Sequence, residues 1–149
     1  FPYGCFASTA TQTITAATAS YPITYTNTFG AAGCTLSDNS RINVADSGKY
    51  LISYSAIGKS AAPGKSLEIW LAVDGAAVAN SNRLSKFVDS SSECVITATY
   101  LEALSAGQYL ELYMRSDDTG TTLEAIPAGT APTRPASPSI ITTVNKVSA

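Results

Sequence analysis

Apolar and polar residues alternate with a period of two through most of the chain. From Lys49 to Ile57, one parity carries Tyr50, Ile52, Tyr54 and Ala56, and the other parity is more polar. This alternation is typical of a β-strand that packs mainly on one face. No window keeps apolar residues at positions i, i+3, i+4 and i+7, so no amphipathic helix is predicted.

Two further segments show strand patterns of different kinds. Residues 67–73 alternate and are followed by Asp74-Gly75, a dipeptide that supplies two positive φ angles to a tight hairpin. The partner strand should therefore begin near Ala77. Residues 94–101 are apolar on both parities, which predicts a central strand buried on two faces.

Shorter runs complete the predicted set of strands. They lie at 11–16, 23–29, 41–44, 109–114 and 139–147. About eight to ten short strands separated by turn signals are typical of an antiparallel, all-β sandwich of two sheets.

The segments between these strands set the predicted domain limits. Asp117 to Gly120 is expected to form a hairpin tip, and the four prolines of 125–138 predict an ordered surface loop near a sheet edge. We predict one sandwich domain over residues 10–149, preceded by an N-terminal extension at 1–9.

The charge balance limits the kinds of partner. The 149 residues include 9 Lys and Arg against 11 Asp and Glu, a net charge of -2, so no basic excess is available for nucleic acid. Apolar stretches such as 69–73 are far shorter than the roughly 20 residues of a spanning helix, so no membrane partner is expected. Because only 13% of residues are charged, the surface should be largely neutral and rich in hydroxyl groups.

Candidate catalytic groups are few. The chain has no His, which removes the commonest general base and the commonest zinc ligand. Asp117 and Asp118 are the only adjacent carboxylates, and neighbours in an exposed turn point apart. There is no G-x-S-x-G or S-x-x-K motif and no phosphate-cradling glycine loop. We therefore predict no enzyme, no catalytic residue and no cofactor.

Oxygen-bearing side chains on loops are the ligands that calcium prefers. The candidates of this type are Asp38, Asn39, Asp117 and Asp118. Their spacing does not match a regular calcium loop, so no metal site is predicted.

The three cysteines are Cys5, Cys34 and Cys94. Their odd number allows at most one intrachain disulfide, which excludes a disulfide framework. The favoured interpretation is buried, unpaired thiols that behave as small apolar side chains. A Cys5–Cys34 bridge is the leading alternative.

Tyrosine is the abundant aromatic residue, with 8 Tyr against 4 Phe and 1 Trp. Five of them lie on predicted strands: Tyr50, Tyr54, Tyr100, Tyr109 and Tyr113. Because a small sandwich has limited core volume, some of these rings are expected to face another protein; alternatively, all five fill the core. Trp70 is assigned to packing or to a subunit contact.

Three segments resemble a known family. Residues 44–53, VADSGKYLIS, are similar to the v-x-x-x-G-x-Y-x-i-x-x-s strand signature of C1q- and tumour-necrosis-factor-like jelly rolls. Residues 104–112, LSAGQYLEL, are similar to the family's L-x-x-G-D-x-v-x-L turn and strand, with Gln108 in place of the usual Asp. IWLAVDG at 69–75, with PSII at 138–141, resembles the version found in bacteriophage structural proteins.

The resemblance covers roughly residues 10–147 and implies a jelly-roll sandwich that assembles as a homotrimer without catalysis. It implies that aromatic residues of the inner sheet form the contact. The predicted subunit contacts are Tyr50, Tyr54, Tyr100, Tyr109, Tyr113 and Trp70. Phe1, Tyr3 and Phe6 are expected to touch the capsid or a neighbouring subunit.

The first functional hypothesis is a bacteriophage virion structural protein, a decoration or cement protein on the capsid exterior that binds the major capsid protein or other virion proteins. Almost every residue is spent on the sandwich, which favours a decorating module over a complete fibre. The alternative is a receptor-binding head of a tail or head fibre that recognises a host surface receptor through loops such as 80–82 and 90–92. A secreted C1q-like or cytokine-like ligand is less favoured, since no glycosylation sequon and no collagen stalk is present.

Overall fold

The computed structural model describes all residues from 1 to 149 and is built from strands. The strands are β1 (Tyr3–Ser8), β2 (Gln12–Thr13), β3 (Tyr21–Pro22), β4 (Asn27–Ala32), β5 (Cys34–Ser37), β6 (Arg41–Val44), β7 (Gly48–Lys59), β8 (Ser66–Val73), β9 (Ala76–Ala77), β10 (Arg83–Lys86), β11 (Glu93–Leu104), β12 (Tyr109–Ser116), β13 (Thr122–Leu123), β14 (Gly129–Thr130), β15 (Thr133–Arg134) and β16 (Ile140–Ser148). None of its segments is a helix of the length and apolarity needed to cross a membrane.

Two antiparallel sheets form the fold. In the first sheet, the strands lie in the order β11, β7, β16, β1 and β4, and β13 and β2 continue from the end of β7. In the second sheet, the order is β10, β8, β12, β6 and β5, with β9 beside β8 and β3 beside β12. The predicted all-β sandwich is therefore confirmed. The strand number exceeds the prediction because several strands have only two residues, too few to produce an alternation.

The core lies between the two sheets. Tyr50, Ile52, Tyr54 and Ala56 of β7 are buried there, on the parity that the sequence predicts. They belong to the same apolar cluster as Leu67, Ile69 and Leu71 of β8 and Leu110, Leu112 and Met114 of β12.

Gly58 shows how closely the layers approach. It continues the inward row of β7, and a Cβ at this position would lie 2.8 Å from the Leu67 side chain. A larger residue would therefore have to push the sheets apart.

The tight turn predicted at Asp74-Gly75 is confirmed. Its two residues have φ angles of 49° and 82°, and Ala76–Ala77 pairs back onto β8 as β9. The Asp74 carboxylate accepts hydrogen bonds from the Tyr109 backbone N–H at 3.1 Å and from Gln108 Nε2 at 3.0 Å. The turn is thereby attached to the start of β12.

Two sequence-based predictions are wrong, the central position of β11 and the hairpin tip at 117–120. β11 is an edge strand that pairs only with β7, so the side chains of its outer parity, including Val95 and Leu101, are exposed instead of buried. The segment Asp117 to Gly120 is not a hairpin tip, because β12 belongs to the second sheet and β13 to the first. It carries the chain from one layer to the other, and Asp117 Oδ1 accepts the Ser66 backbone N–H at 2.8 Å.

The first nine residues are part of the sandwich instead of an extension. Tyr3–Ser8 forms β1, which pairs with β4 and β16. Alternation places Gly4 and Phe6 on the inner side, and Phe6 packs against Tyr25 with ring centroids 6.1 Å apart.

The proline-rich segment 125–138 runs along the surface as predicted. It contains the small hairpin β14–β15, which pairs with neither large sheet. Ile126 and Ser137 close its base through two backbone hydrogen bonds of 2.9 and 2.8 Å.

Replacing Gly75 by Ala tests the turn. Its φ of 82° is in the left-handed region, and a Cβ would meet only the Tyr109 hydroxyl at 3.7 Å, so the cost is conformational. We expect Gly75→Ala to lower the free energy of unfolding by about 1–2 kcal/mol in chemical denaturation at fixed protein concentration. Gly30→Ala is the matched control, because Gly30 has neither a positive φ nor an atom within 4 Å of the new Cβ. Equal losses in both variants would show that the turn conformation is not what matters.

Candidate functional site

The outward side of the first sheet carries a continuous uncharged surface. We call it the uncharged face; it consists of Tyr3, Cys5, Leu51, Ser53, Ser55, Ile57, Val95, Thr97, Thr99, Leu101, Ala103, Ile141, Thr143 and Asn145. The strand register places Leu51 between Leu101 and Asn145, and Ser53 between Thr99 and Thr143. Val95 is 64% exposed and Leu101 is 59% exposed.

Charged side chains lie only at the borders of this face. Lys49 and Glu93 occupy opposite ends of the β7–β11 pair, and Lys59 Nζ lies 3.2 Å from Glu124 Oε1. The area between them carries aliphatic side chains and short hydroxyls, which lose less hydration free energy than charged groups when covered by protein. The uncharged face is therefore suited to a protein contact.

The predicted contact residues Tyr50, Tyr54 and Tyr100 do not lie on this face. Tyr50 and Tyr54 are buried in the core, and Tyr100 is half-buried with its ring centroid 6.3 Å from that of Tyr54. Tyr50 donates its hydroxyl hydrogen to the Asp46 carbonyl at 2.7 Å, and Tyr100 donates to the Ser81 carbonyl. The prediction is wrong for Tyr50 and Tyr54, because both rings fill the core of their own subunit. The Tyr50 hydroxyl reaches a backbone carbonyl at the rim, whereas the Tyr54 hydroxyl is buried without a hydrogen-bond partner.

The other three predicted aromatic contacts lie on the outward side of the second sheet. Trp70 of β8 and Tyr113 of β12 are opposite each other, with nearly parallel rings (14°) and centroids 6.1 Å apart. Tyr109 lies farther along β12, and the Arg41 guanidinium lies 4.5 Å from the centre of its ring. The structure thus divides the six predicted residues between the core and this second surface.

Polar side chains surround the Trp70–Tyr113 pair. Arg115 Nη1 lies 2.8 Å from Glu68 Oε2, and Asn82 Nδ2 donates to Glu68 Oε1 at 2.9 Å. The hydrogen bond from Arg115 holds the pKa of the Glu68 carboxyl below its usual value, so Glu68 is ionised at neutral pH. Its charge is balanced by Arg115.

Glu111 lies on β12 between Tyr109 and Tyr113, opposite Ala72, and is almost completely buried. Ser40 Oγ donates to its Oε2 at 2.7 Å, and the Tyr113 hydroxyl donates to its Oε1 at 3.3 Å. Arg41 Nε lies 3.9 Å from the same Oε1. These partners satisfy the carboxylate and fix the position of the Tyr113 ring.

A shallow groove of about 280 Å³ lies beside the stacked rings. Its lining consists of Ser20, Trp70, Ala72, Gly75, Ala77 and Tyr113. Small residues on one side leave the rings accessible from the groove.

The three predicted N-terminal contact residues differ in exposure. Phe1 is 80% exposed and lies under the Lys146 ammonium, 5.3 Å from its ring centre, and Tyr3 is half exposed. Phe6 is buried in the core, so it cannot touch a neighbour, and that part of the prediction is wrong.

The candidate calcium ligands do not come together. Asp38 and Asn39 form the turn between β5 and β6, and Ser40 beside them bonds to Glu111. Asp117 lies six residues beyond Glu111 on an extended strand, which corresponds to roughly 20 Å. No group of three metal-ligating side chains is present.

The loops considered for receptor binding are partly structural. Ser81 is buried and accepts the Leu71 backbone N–H at 3.0 Å, and Asn82 is tied to Glu68. Asn80 and the 90–91 turn remain exposed.

The three cysteines are free thiols. Cys5 belongs to the uncharged face, 3.7 Å from Thr143 Oγ1, whereas Cys34 lies in the core, so the alternative Cys5–Cys34 bridge does not form. Burial raises the pKa of the Cys34 thiol to about 11.

Comparison with known proteins identifies the fold. No protein-family model and no curated protein sequence matches the chain. Among solved structures, the globular domain of zebrafish complement 1qA protein is similar, with a TM-score of 0.67 over 99% of this chain and 98% of that chain. The identity is 11%, so the likeness establishes the C1q-like jelly-roll fold alone.

The buried thiol of Cys34 predicts a dependence of stability on alkaline pH. Its pKa rises from 9.0 to about 11 on folding, so below pH 9 it is protonated in both states. Between these values the unfolded chain ionises first, and the free energy of unfolding falls as pH rises. We expect a smaller fall across this window in Cys34→Ala than in the wild type, measured by denaturation at each pH.

Val88→Ala is the control and should keep the wild-type slope, because Val88 is 78% exposed and its replacement removes no titratable group. Burial also raises the pKa values of Tyr25, Tyr50 and Tyr54, but these residues are common to all three proteins. An unchanged slope in Cys34→Ala would contradict the assignment.

Proposed function

We propose that the protein is a virion structural protein of a bacteriophage, a homotrimeric jelly roll on the capsid exterior that stabilises the assembled head. In this proposal, the uncharged face joins the three subunits, and another surface binds the major capsid protein or other virion proteins. The observation that carries the proposed assembly is the uncharged face: between the charged borders, the outward side of β7, β11 and β16 carries no charged side chain.

The dimensions of this face support a stable contact. The strands β7, β11, β16 and β1 have 12, 12, 9 and 6 residues. With a rise of about 3.3 Å per residue and about 4.8 Å between strands, the face measures on the order of 600 Å², which is about three quarters of the roughly 800 Å² that one partner contributes to a standard protein interface.

The sequence of β11 supports the same contact. The strand is apolar on both parities, although only one parity faces the core of its own subunit. A neighbouring subunit would cover Val95 and Leu101, and it would also protect an edge strand of 12 residues from unspecific pairing.

The threefold symmetry and the virion location rest on the sequence resemblance. The segments 44–53 and 104–112 resemble a family whose members assemble as trimers, and 69–75 with 138–141 resembles the bacteriophage version. A closed ring of like subunits leaves no unpaired copy of the contact surface. Phe1 and Tyr3 are exposed apolar side chains available for contact with the shell or a neighbour.

Substituting Leu101 tests the subunit contact. Leu101→Lys would bury an ammonium group among uncharged side chains, which costs several kcal/mol when no acidic partner is present. Sedimentation equilibrium should give about three times 15.4 kDa for the wild type and a mass near 15.4 kDa for Leu101→Lys at the same concentration.

Leu84→Lys is the matched control, because Leu84 is also 59% exposed but lies on the second sheet. It should remain a trimer. A wild-type protein that sediments as a single chain, or equal dissociation of both variants, would refute the proposed contact.

The stabilising role predicts a change in the heat resistance of virus particles. A clamp that binds only the assembled shell stabilises that state by mass action. Particles lacking the protein should therefore lose infectivity at a lower temperature, and adding the purified trimer should restore the original inactivation curve.

Electron microscopy of gold-labelled protein on particles provides the location. Label over the head supports decoration, whereas label confined to a fibre tip supports the alternative of a receptor-binding head. Unchanged heat inactivation would count against a stabilising role even if the label is on the head.

A further inference from the structure

We propose that the groove beside Trp70 and Tyr113 binds the pyranose ring of a neutral glycan. The inference goes beyond the proposed function and does not depend on it, because the groove lies on the second sheet and the uncharged face lies on the first. The groove is therefore open to solvent both in a single chain and in the proposed trimer.

The aromatic pair provides an apolar wall of suitable chemistry. The two rings are nearly parallel at 14° and only half-buried, and neither is part of the core cluster. An aromatic face carries partial negative charge and attracts the weakly polarised C–H groups on the flat side of a sugar ring.

The shape of the groove comes from small residues next to the rings. On β8, Ala72 follows Trp70 on the same side of the sheet, and it pairs with Ala77. Gly75 and Ser20 complete the lining. The volume of about 280 Å³ lies just below the usual range for ligand pockets of drug-sized compounds, which fits one ring unit of a chain better than a large compound.

The polar groups of the groove are hydroxyls. Ser20 and Tyr113 of the lining each carry one, whereas Glu68, Asn82 and Arg115 lie on the other side of the rings and bond to one another. Since a hydroxyl both donates and accepts, these two groups can pair with sugar hydroxyls in either direction.

The charge balance selects a neutral ligand. Glu68 and Arg115 are paired at 2.8 Å, and Glu111 is bonded to Ser40 and Tyr113 within the surface. The groove lining contains no Lys or Arg that could pair with a phosphate or a sialic acid carboxylate. This pairing favours an uncharged hexose chain over an acidic one.

The single Trp of the chain makes the site directly observable, because all tryptophan emission comes from Trp70. The experiment titrates the purified protein with neutral hexasaccharides of glucose, galactose, mannose and N-acetylglucosamine. At least one should shift the emission to shorter wavelength, with a dissociation constant on the order of 1 mM or below.

Substitutions at Tyr113 then locate the binding. Tyr113→Ala removes half of the aromatic wall and should weaken binding at least about tenfold, which is the size of one lost stacking contact. Tyr113→Phe keeps the ring and should retain most of the affinity. If the alanine variant folds poorly, Ala77→Leu replaces it, because a larger side chain at this exposed lining position fills the groove and should weaken binding. Val88→Ala is the control, since Val88 is 78% exposed outside the groove.

Three results of this experiment would overturn the proposed glycan site. No emission change with any of the four sugars would overturn the proposal, and so would an affinity unchanged in Tyr113→Ala or reduced equally in Val88→Ala. Sedimentation of the same samples reports on the trimer separately, so a failed glycan site is distinguishable from a failed assembly.

Discussion

The packing of one parity of β7 against β8 and β12 is the contact on which the rest of the structure depends. The inward parity of β7 consists of Tyr50, Ile52, Tyr54 and Ala56, so the residues between them must face outward. Because paired residues of neighbouring strands point to the same side of the sheet, the register also fixes which residues of β11 and β16 face outward. A single choice of parity therefore determines both the composition of the core and the composition of the uncharged face.

The long strands were predictable because each one repeats its pattern often enough to identify it. β7, β8, β12 and β16 fall where alternation places them, and Asp74-Gly75 forms the predicted turn. Strands of two residues, such as β2 and β13, carry no such pattern. The position of a strand within a sheet is also not local information, so the pattern of 94–101 predicts a central strand whereas β11 lies at the edge.

The candidate surfaces were harder to predict than the fold. Tyrosine on a strand suggests a contact residue, yet strand parity alone turns Tyr50 and Tyr54 inward. The Tyr50 hydroxyl bonds to the Asp46 carbonyl, but the Tyr54 hydroxyl has no partner, so a reachable acceptor does not decide which rings are buried. The uncharged face consists instead of ordinary aliphatic and hydroxyl residues. Its signal was present in the apolar outer parity of residues 94–101, which is also the pattern of a strand covered by its own chain.

The small hairpin β14–β15 has a different relation to the fold from all other strands. It pairs only with itself, and its base is closed at Ile126 and Ser137. Residues added between Thr130 and Thr133 would shift the register of neither large sheet, so the tip is a permissive point for insertion. A peptide epitope grafted there would be presented once per chain, which makes this fold a natural scaffold for surface display.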